Sequence, residues 1–410
     1  MTTTNTKRLT KIITLSLITS TMLNATNGDH LIAVGAKARG MGGVSIAISH
    51  GAESGLSNPA MITSIEGTEI AFGGTIFMPT IDSAFAGATI PAQTHTSDAD
   101  LNIIPEVSIA HKIDDNWYIG IGMWGTAGMG TDYSKAGVVN PFVTGQFSNM
   151  NMVTNLQLMQ FGVPIAYKYE GLSIAVTPIL QYGNLDINYL MPTAPNTTSN
   201  TGTGLSQDFS FGYNVGLAYD FSNGLTIGAL YKSAIEMEYK NQLTTATIPF
   251  GITLPDGDIL EQPAEIGVGF SYATDGHTIA FDYKVIQWSE AKGYGDFGWE
   301  DQDVYAVGYQ YKEHDWALRA GYNYAQSPVV SGANPSLNLF NLLGFPATSE
   351  SHYTLGGTYN ITEAFSVDLA YVYSPESSEA FNVTALGMGI DTITTTHSEN
   401  SLSFQLVYNF

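Results

Sequence analysis

The last ten residues, Ser401-Leu402-Ser403-Phe404-Gln405-Leu406-Val407-Tyr408-Asn409-Phe410, decide the architecture. Leu402, Phe404, Leu406, Tyr408 and Phe410 fall on one face, while Ser401, Ser403, Gln405 and Asn409 fall on the other. Side chains alternate sides along a strand, so this stretch reads as a strand with one apolar and one polar face. Upstream, Phe365, Val367, Leu369, Tyr371 and Tyr373 oppose Ser366, Asp368 and Ala370. Trp316, Leu318, Ala320, Tyr322 and Tyr324 oppose Ala317, Arg319, Gly321 and Asn323. Fourteen such segments run along the chain, at 67–78, 104–113, 117–127, 158–169, 171–190, 207–221, 224–241, 261–274, 277–289, 302–313, 315–327, 350–361, 364–375 and 397–410. Most reach the ~9–11 residues that a tilted strand needs to cross a bilayer.

The connections alternate in length. Long loops follow the odd strands, at 79–103, 128–157, 191–206, 242–260, 290–301, 328–349 and 376–396. Tight turns follow the even ones: Asp114-Asp115-Asn116, Glu170, Ser222-Asn223, Asp275-Gly276, His314 and Thr362-Glu363. Bacterial outer-membrane barrels have this asymmetry, with short periplasmic turns and long external loops. An even strand count places both termini in the periplasm. A soluble sandwich or propeller would carry charges on its second face, whereas Gly, Ser, Ala, Thr and Asn dominate it here. A closed barrel is the one sheet that leaves no unpaired backbone groups in lipid. The expectation is an all-β fold: a 14-stranded antiparallel transmembrane β-barrel, residues 67–410, in the bacterial outer membrane.

Composition fits that reading. Of 410 residues 44% are hydrophobic and only 12% charged, and the 43 Gly, 23 Tyr and 19 Phe suit turns, strands and interfacial girdles. The absence of cysteine excludes a disulfide framework and thiolate metal sites. A net charge of −23 argues against nucleic-acid binding. Lys7, Arg8 and Lys11 followed by the apolar run Ile12 to Leu23 read as a signal peptide, residues 1–25, with Leu23-Asn24-Ala25 as the cleavage region. The expected partners are outer-membrane lipid, lipopolysaccharide and the insertion machinery, for which the terminal Phe410 is a suitable signal.

Residues 26–66 do not alternate, and their small, apolar character does not suit a solvated linker. They are expected to fold into the lumen as a hatch. Gly42 and Gly43 allow close backbone approach, and Asn58-Pro59-Ala60 makes a defined corner. Asp220, Lys232, Asp282, Lys284, Arg319 and Asp368 are expected to point inward. Both signs occur among them, as a filled lumen requires, rather than the single-sign ring of an ion-selective pore.

In this context the chain resembles the FadL family of outer-membrane long-chain fatty acid transporters, which includes aromatic-hydrocarbon channels. The resemblance rests on Gly40-Met41-Gly42-Gly43, then Asn58-Pro59-Ala60-Met61-Ile62-Thr63, both similar to the family's hatch. Gly120-Ile121-Gly122 with Met129-Gly130-Thr131-Asp132-Tyr133, Asp282 with Trp288-Ser289, and Arg319-Ala320-Gly321-Tyr322 match later blocks. The resemblance implies passive transport of a hydrophobic small molecule, most of all a long-chain fatty acid. External loops capture the ligand, a lumen pocket holds it, and an inward kink in the third strand lets it leave sideways. Gly120, Gly122 and Gly125 are the residues expected to ease that kink, and an unbroken ladder through 117–127 would contradict it.

Leu339, Phe340, Leu342 and Leu343 form an apolar loop cluster suited to capture, with Met150 and Met152 as a second adaptable surface. Fatty-acid members of the family carry bases near the fifth strand, but Tyr182-Gly183-Asn184-Leu185-Asp186-Ile187 has none. Lys232, Lys284 or Arg319 would have to hold a carboxylate instead; otherwise the ligand is a neutral aromatic or aliphatic hydrocarbon. An enzyme is not expected. There is no Gly-x-Ser-x-Gly elbow and no paired histidines for zinc, and no cofactor or metal is called for. The third class is a surface receptor or adhesin barrel.

Overall fold

Antiparallel pairing of the alternating segments closes a ring. The computed structural model describes residues 26–88, 90–137, 149–387 and 389–410; the expected signal segment and part of the loop after the third strand lie outside them. The wall strands are β1 (Thr68–Gly87), β2 (Asn102–Lys112), β3 (Trp117–Met129), β4 in two pieces (Val153–Gly162 and Ile165–Tyr169) and β5 (Leu172–Ala194). They continue as β6 (Ser206–Asp220), β7 (Leu225–Lys232), β8 (Glu265–Thr274), β9 (His277–Ile286) and β10 (Gln302–Glu313). The last four are β11 (Trp316–Ala325), β12 (Ser351–Asn360), β13 (Phe365–Asn382) and β14 (Thr392–Asn409). Each pairs with the next, and β14 pairs back onto β1 from Thr392↔Ala86 to Asn409↔Glu69. The 14-stranded antiparallel barrel expected from the sequence is therefore the fold.

Strand ends differ from the sequence reading for physical reasons. β1, β5, β13 and β14 run past their expected ends because the ladder continues as hairpins above the apolar band. There Thr and Ser replace the apolar residues, as in Thr392-Ile393-Thr394-Thr395-Thr396, so the periodic signal fades while pairing persists. β7 is shorter than expected. Ile235, Met237 and Tyr239 keep a period of two, but they turn inward, are buried, and touch neighbours only through isolated bridges. β4 is interrupted at Val163-Pro164, since proline has no N–H for the ladder; the Pro164 carbonyl accepts from the Gly120 N–H at 2.8 Å. Asp220 does not face the lumen: it is exposed at the end of β6 and accepts the Ser222 N–H at 2.8 Å, fixing the turn.

The outer face is apolar and carries aromatic rows. At the tight-turn end Tyr311 packs on His277 and Trp316 (4.8 and 5.5 Å between ring centres), and Tyr408 on Phe410 (5.6 Å). Toward the other end, Tyr283–Tyr305, Tyr322–Tyr353 and Tyr353–Tyr373 continue across neighbouring strands at 5.0–5.5 Å. Rings with an apolar body and a polar tip suit the two edges of the lipid core.

The inner, polar face is dry because residues 26–66 fill the lumen beside it. This segment forms only a short turn of helix, α1 (Ala36–Arg39), and two 3₁₀ turns, Ala52–Gly55 and Pro59–Ser64. Most of its backbone groups lack regular partners, and wall side chains supply them. Asp282 accepts the Ser45 and Ile46 N–H groups (2.6 and 2.9 Å), Glu106 that of Gly35 (2.8 Å), and Thr354 that of Gly42 (2.8 Å). Ser271 donates to the Ala47 carbonyl and Asn214 to that of Leu56 (2.6 and 2.8 Å). Gly42 has φ +72°, and a Cβ there would stand 2.7 Å from the Tyr322 nitrogen and the Val307 oxygen. Only glycine fits so close to the wall in that conformation.

Asn58 is the corner that locks this segment. Its Nδ2 donates to the Ile46 and Leu217 carbonyls (2.6 and 3.1 Å), and its Oδ1 caps the Pro59–Ser64 turn through the Ala60 N–H (3.1 Å). Asn58→Ala takes a donor from the buried Ile46 carbonyl and the acceptor from the buried Ala60 N–H, at about 1–3 kcal/mol. Limited proteolysis of the purified barrel should then cut within residues 26–66 at a lower urea concentration than in wild type. The heat-modifiable gel mobility of the barrel should be retained.

Candidate functional site at a break in the wall

The seam between β2 and β3 is incomplete. The β2–β3 ladder runs from Lys112↔Tyr118 to Glu106↔Trp124 and stops, although both strands continue. Above that point Asn102 to Pro105 bond only to β1. Pro105 has no N–H, so it cannot donate into a ladder on either side. On the other side, β3 shifts register against β4 between Gly125 and Ala127. Its freed backbone turns to the hatch: Ala127 pairs with His30, and the Gly128 N–H donates to the Asp29 carbonyl at 3.0 Å. The third strand therefore leaves its neighbour and bends inward after Trp124.

Gly120 and Gly122 lie in the intact part of the ladder, so the break falls beyond them. Gly122 has another use: a Cβ there would sit 2.0 Å from the Trp124 ring. That indole is fully buried and donates to the Ser108 hydroxyl at 2.8 Å, marking the last closed rung. Gly125 stands at the break, where a Cβ would be 2.4 Å from the Ile104 Cγ2.

A cavity of about 370 Å³ lies at this seam. Ligand cavities for small molecules span roughly 300–1,000 Å³. Its outer rim includes Ile103, 77% exposed on the barrel's outside, and Phe77 and Pro79 line it from the inward-facing positions of β1. Its inner wall includes Leu31 of the hatch, Leu156 and Leu158 of β4, and His397 and Glu399 of β14, while Met159 of β4 and Tyr182 and Asn184 of β5 line it from the outward-facing positions of their strands, with Tyr182 packed on the exposed Phe209. The cavity thus connects the lumen with the outer face. No lysine or arginine lines it. Tyr182 and Asn184 belong to the stretch in which the family's fatty-acid members carry bases. The sequence reading missed most of this lining, but Pro105 within a strand of a closed barrel is a signal that marks the edge.

Lys232, Lys284 and Arg319 are elsewhere and engaged. Lys232 and Lys284 both pair with Glu265 (3.1 and 3.6 Å), beside a second cavity of about 60 Å³ that also touches His30. Arg319 pairs with Asp368 (3.8 Å) and bonds Gln310 and Thr358 (2.8 and 2.7 Å). Lys37 of the hatch reaches the same Asp368 at 3.8 Å. Lys232, Lys284 and Arg319 thus pair with carboxylates of neighbouring wall strands, and the hatch joins the same two carboxylates through Lys37 and through His30, 3.4 Å from Glu265.

The expected capture loop is not exposed. Leu339, Phe340, Leu342 and Leu343 lie on a helix, α2 (Pro335–Gly344), and are fully buried across the long-loop end of the barrel. Asn334 caps it and Pro335 opens it, a start signal that loop composition obscured. Phe340 stacks on Phe297, with ring centres 5.5 Å apart. Met150 and Met152 are also buried in this apolar mass rather than presented outward. The helix's last carbonyls, which lack intrahelical donors, take hydroxyls from three separate strands or loops. Thr395 donates to Leu342, Thr131 to Leu343 and Thr154 to Gly344 (2.8, 2.9 and 2.5 Å). Pro346 and Ala347, just past the helix, line the cavity, so this lid and the cavity share one wall. Among the described residues no group of three or more acidic or histidine side chains is arranged to hold a metal.

Two outcomes are expected. Filling the break with Gly125→Leu should lower transport of any ligand that uses it while leaving barrel folding intact, read as uptake against outer-membrane level. The Thr154→Val and Thr395→Val pair strips donors from buried carbonyls, at about 1–3 kcal/mol each. Hydrogen exchange over Leu339 to Gly344 should accelerate by at least about tenfold per 1.4 kcal/mol lost, with wall ladders unchanged.

Comparison with known proteins agrees with this geometry. A family model described as outer membrane protein transport protein (OMPP1/FadL/TodX) matches residues 18–410. The 47 kDa outer membrane protein of Pasteurella multocida (strain Pm70) is 22% identical over 363 residues, covering 82% of this chain and 84% of that one. The crystal structure of the P. putida toluene transporter TodX superposes with a TM-score of 0.68 at 19% identity, covering 94% of this chain and 99% of that one. A Pseudomonas aeruginosa FadL homologue gives 0.66 at 16% identity, covering 96% and 100%. The structural likenesses establish the barrel fold. The family model, spanning nearly the whole sequence, establishes membership: the chain belongs to the OMPP1/FadL/TodX family of outer-membrane transport proteins, which are channels and not enzymes.

Proposed function

We propose that this barrel passes small uncharged hydrophobic molecules across the outer membrane, with the break between β2 and β3 as their lateral exit. The observation that carries this reading is the cavity wall. It combines Leu156, Leu158, Met159 and Ile104 with amides, the carboxylates of Asp132 and Glu399 and the imidazole of His397, and it contains no lysine or arginine. An unpaired ligand carboxylate in such surroundings loses its hydration without gaining a cation. Beside Glu399 it would also meet like charge. A neutral aromatic or aliphatic hydrocarbon meets neither cost, and the structurally similar TodX is a toluene transporter. Long-chain fatty acids, which the sequence resemblance favours, are the second choice. Their acid group would need Lys232 or Lys284, and both are held by Glu265.

In this reading the ligand enters when the α2 lid opens, moves to the cavity, and leaves between Pro105 and Gly125 into the bilayer. The tight-turn end and both termini face the periplasm, after removal of the leader at residues 1–25. No nucleotide-binding loop is present in the sequence, so the gradient drives the flow.

The test is uptake in cells lacking their own channel of this family. A radiolabelled alkylbenzene should enter faster than in vector controls, and a long-chain fatty acid should not. Lys232→Gln, Lys284→Gln and Arg319→Gln should leave the ratio of the two unchanged. Fatty-acid uptake that falls when either lysine is neutralised would overturn the neutral-ligand reading. Uptake of neither compound would remove the transport reading through this cavity.

A further inference from the structure

We propose that the long-loop end of β6 is a lipid-binding slot, whose occupant is an outer-leaflet lipid with an amide-linked acyl chain. The inference stands apart from the transport reading and from the seam between β2 and β3.

A strand in an antiparallel wall offers alternate residues to its two neighbours. In β6 the even residues bond β5, and the Asp220 N–H donates to the Gly171 carbonyl at 2.8 Å. The odd residues bond β7, from Tyr219↔Ile227 to Val215↔Tyr231. Tyr213 closes that run. Its carbonyl accepts the Ser233 N–H at 2.9 Å, and its own N–H donates to the Ser233 hydroxyl at 3.0 Å. β7 ends there, at Lys232, while β6 extends to Ser206. The chain after Ser233 turns into the lumen, and Ile235 is buried beneath Gly212, where a Cβ would stand 2.5 Å from its Cγ1. Ile235 bridges to Gln262 rather than to β6. By the same alternation, the N–H and C=O groups of Phe209 and Phe211 point into the space that β7 has left. Among the described residues no hydrogen bond reaches them. At β3 the hatch takes up the freed groups; here no described segment does.

These groups lie within the lipid band. The outward residues of β6 are Tyr219, Leu217, Val215, Tyr213, Phe211 and Phe209, all exposed, and the next is polar Gln207. Phe209 packs on Tyr182 of β5, with ring centres 5.1 Å apart, and the next outward residue of β5 is Asn184. The pair therefore marks the outer edge of the band. Phe211, one rung deeper, is 78% exposed. Tyr213 on Tyr231, 6.0 Å between ring centres, forms the floor of the slot, and Ile266 of β8, paired with Tyr231, continues its far side.

An unpaired peptide group facing lipid is costly, and each one carries both a donor and an acceptor. The linkage of an ester lipid carries acceptors alone, so it leaves the Phe209 and Phe211 carbonyls unmet. An amide-linked chain with a neighbouring hydroxyl carries both, and it reproduces the pattern of the missing strand while its hydrocarbon lies on the two rings. The free run, Gln207 to Phe211, is short for pairing with a strand of a second copy.

The test places the full-length barrel, purified from outer membranes, in nanodiscs of either phosphatidylcholine or sphingomyelin, above the melting temperature of both. The two lipids share a headgroup and differ in ester against amide and hydroxyl linkage. Amide exchange is read residue by residue, with Val215 in the closed ladder as reference. The Phe209 and Phe211 amides should exchange about tenfold more slowly in sphingomyelin, the worth of one hydrogen bond, while Val215 is unchanged. Phe211→Pro removes a donor that the ladder does not use, so the barrel should still close, and the difference at Phe209 should vanish. Phe211→Ala keeps the N–H and should preserve it. Equal rates in the two lipids for wild type would overturn the proposal, whether or not Phe211→Pro folds. Protection that is equal in both lipids and grows with protein concentration would assign the edge to a second copy, and would overturn it as well.

Discussion

A backbone N–H or C=O facing hydrocarbon must find its partner inside the protein, since each one left unmade costs several kcal/mol. The closed ladder of fourteen strands meets that demand along most of the described wall; it stops early where β6 runs on past Asn214↔Lys232, and at the seam between β2 and β3. There Pro105 cannot donate, and β3 parts from β2 after Trp124. The exposed groups of β3 are taken up by Asp29 and His30 of the hatch, so the seam opens without orphaning them. A hatch is therefore part of what makes a hole in the wall tolerable. The same rule shapes the lid, where three threonine hydroxyls finish the last carbonyls of α2.

The lumen divides into two regions. Below, the hatch is bound to the wall by hydrogen bonds and by Lys37 at Asp368 and His30 at Glu265, while Arg319, Lys232 and Lys284 pair with the same two carboxylates from neighbouring strands. Above, buried rings and aliphatic chains such as Trp288, Tyr294, Trp299, Phe297 and Phe340 make a dry mass under the lid. The cavity lies where the two meet the seam. Charges already paired between wall strands are withheld from the ligand, which is why the wall groups that look like carboxylate holders in sequence do not serve as such in space.

Much of the wall was legible because lipid on one side and a filled lumen on the other impose a strict period of two. The last strand, with Phe404 out and Ser403 in, shows how little else is needed. The alternation of long and short connections was equally plain. The lid was not, because buried Leu339, Phe340, Leu342 and Leu343 look the same in sequence as an exposed apolar loop. Only Asn334-Pro335 hinted at a helix. The hatch glycine Gly42 and corner Asn58 could be named from their residue types, but their partners on β11, β12 and β6 lie far along the chain. Gly120 and Gly122 drew notice for the kink because glycine permits bending; the break instead follows from the missing N–H at Pro105, a residue whose position mattered more than its neighbours' flexibility.

The central claim is that the seam between β2 and β3 is where ligand sits and leaves. The most direct measurement is a crystal structure of the barrel soaked with a brominated alkylbenzene, with bromine located by anomalous scattering. The account predicts a bromine site bounded by Ile104 and Pro105 on one side and Gly125 to Met129 on the other. A site confined beneath the lid, among Phe297, Phe340 and Trp299, with none at the seam, would contradict it.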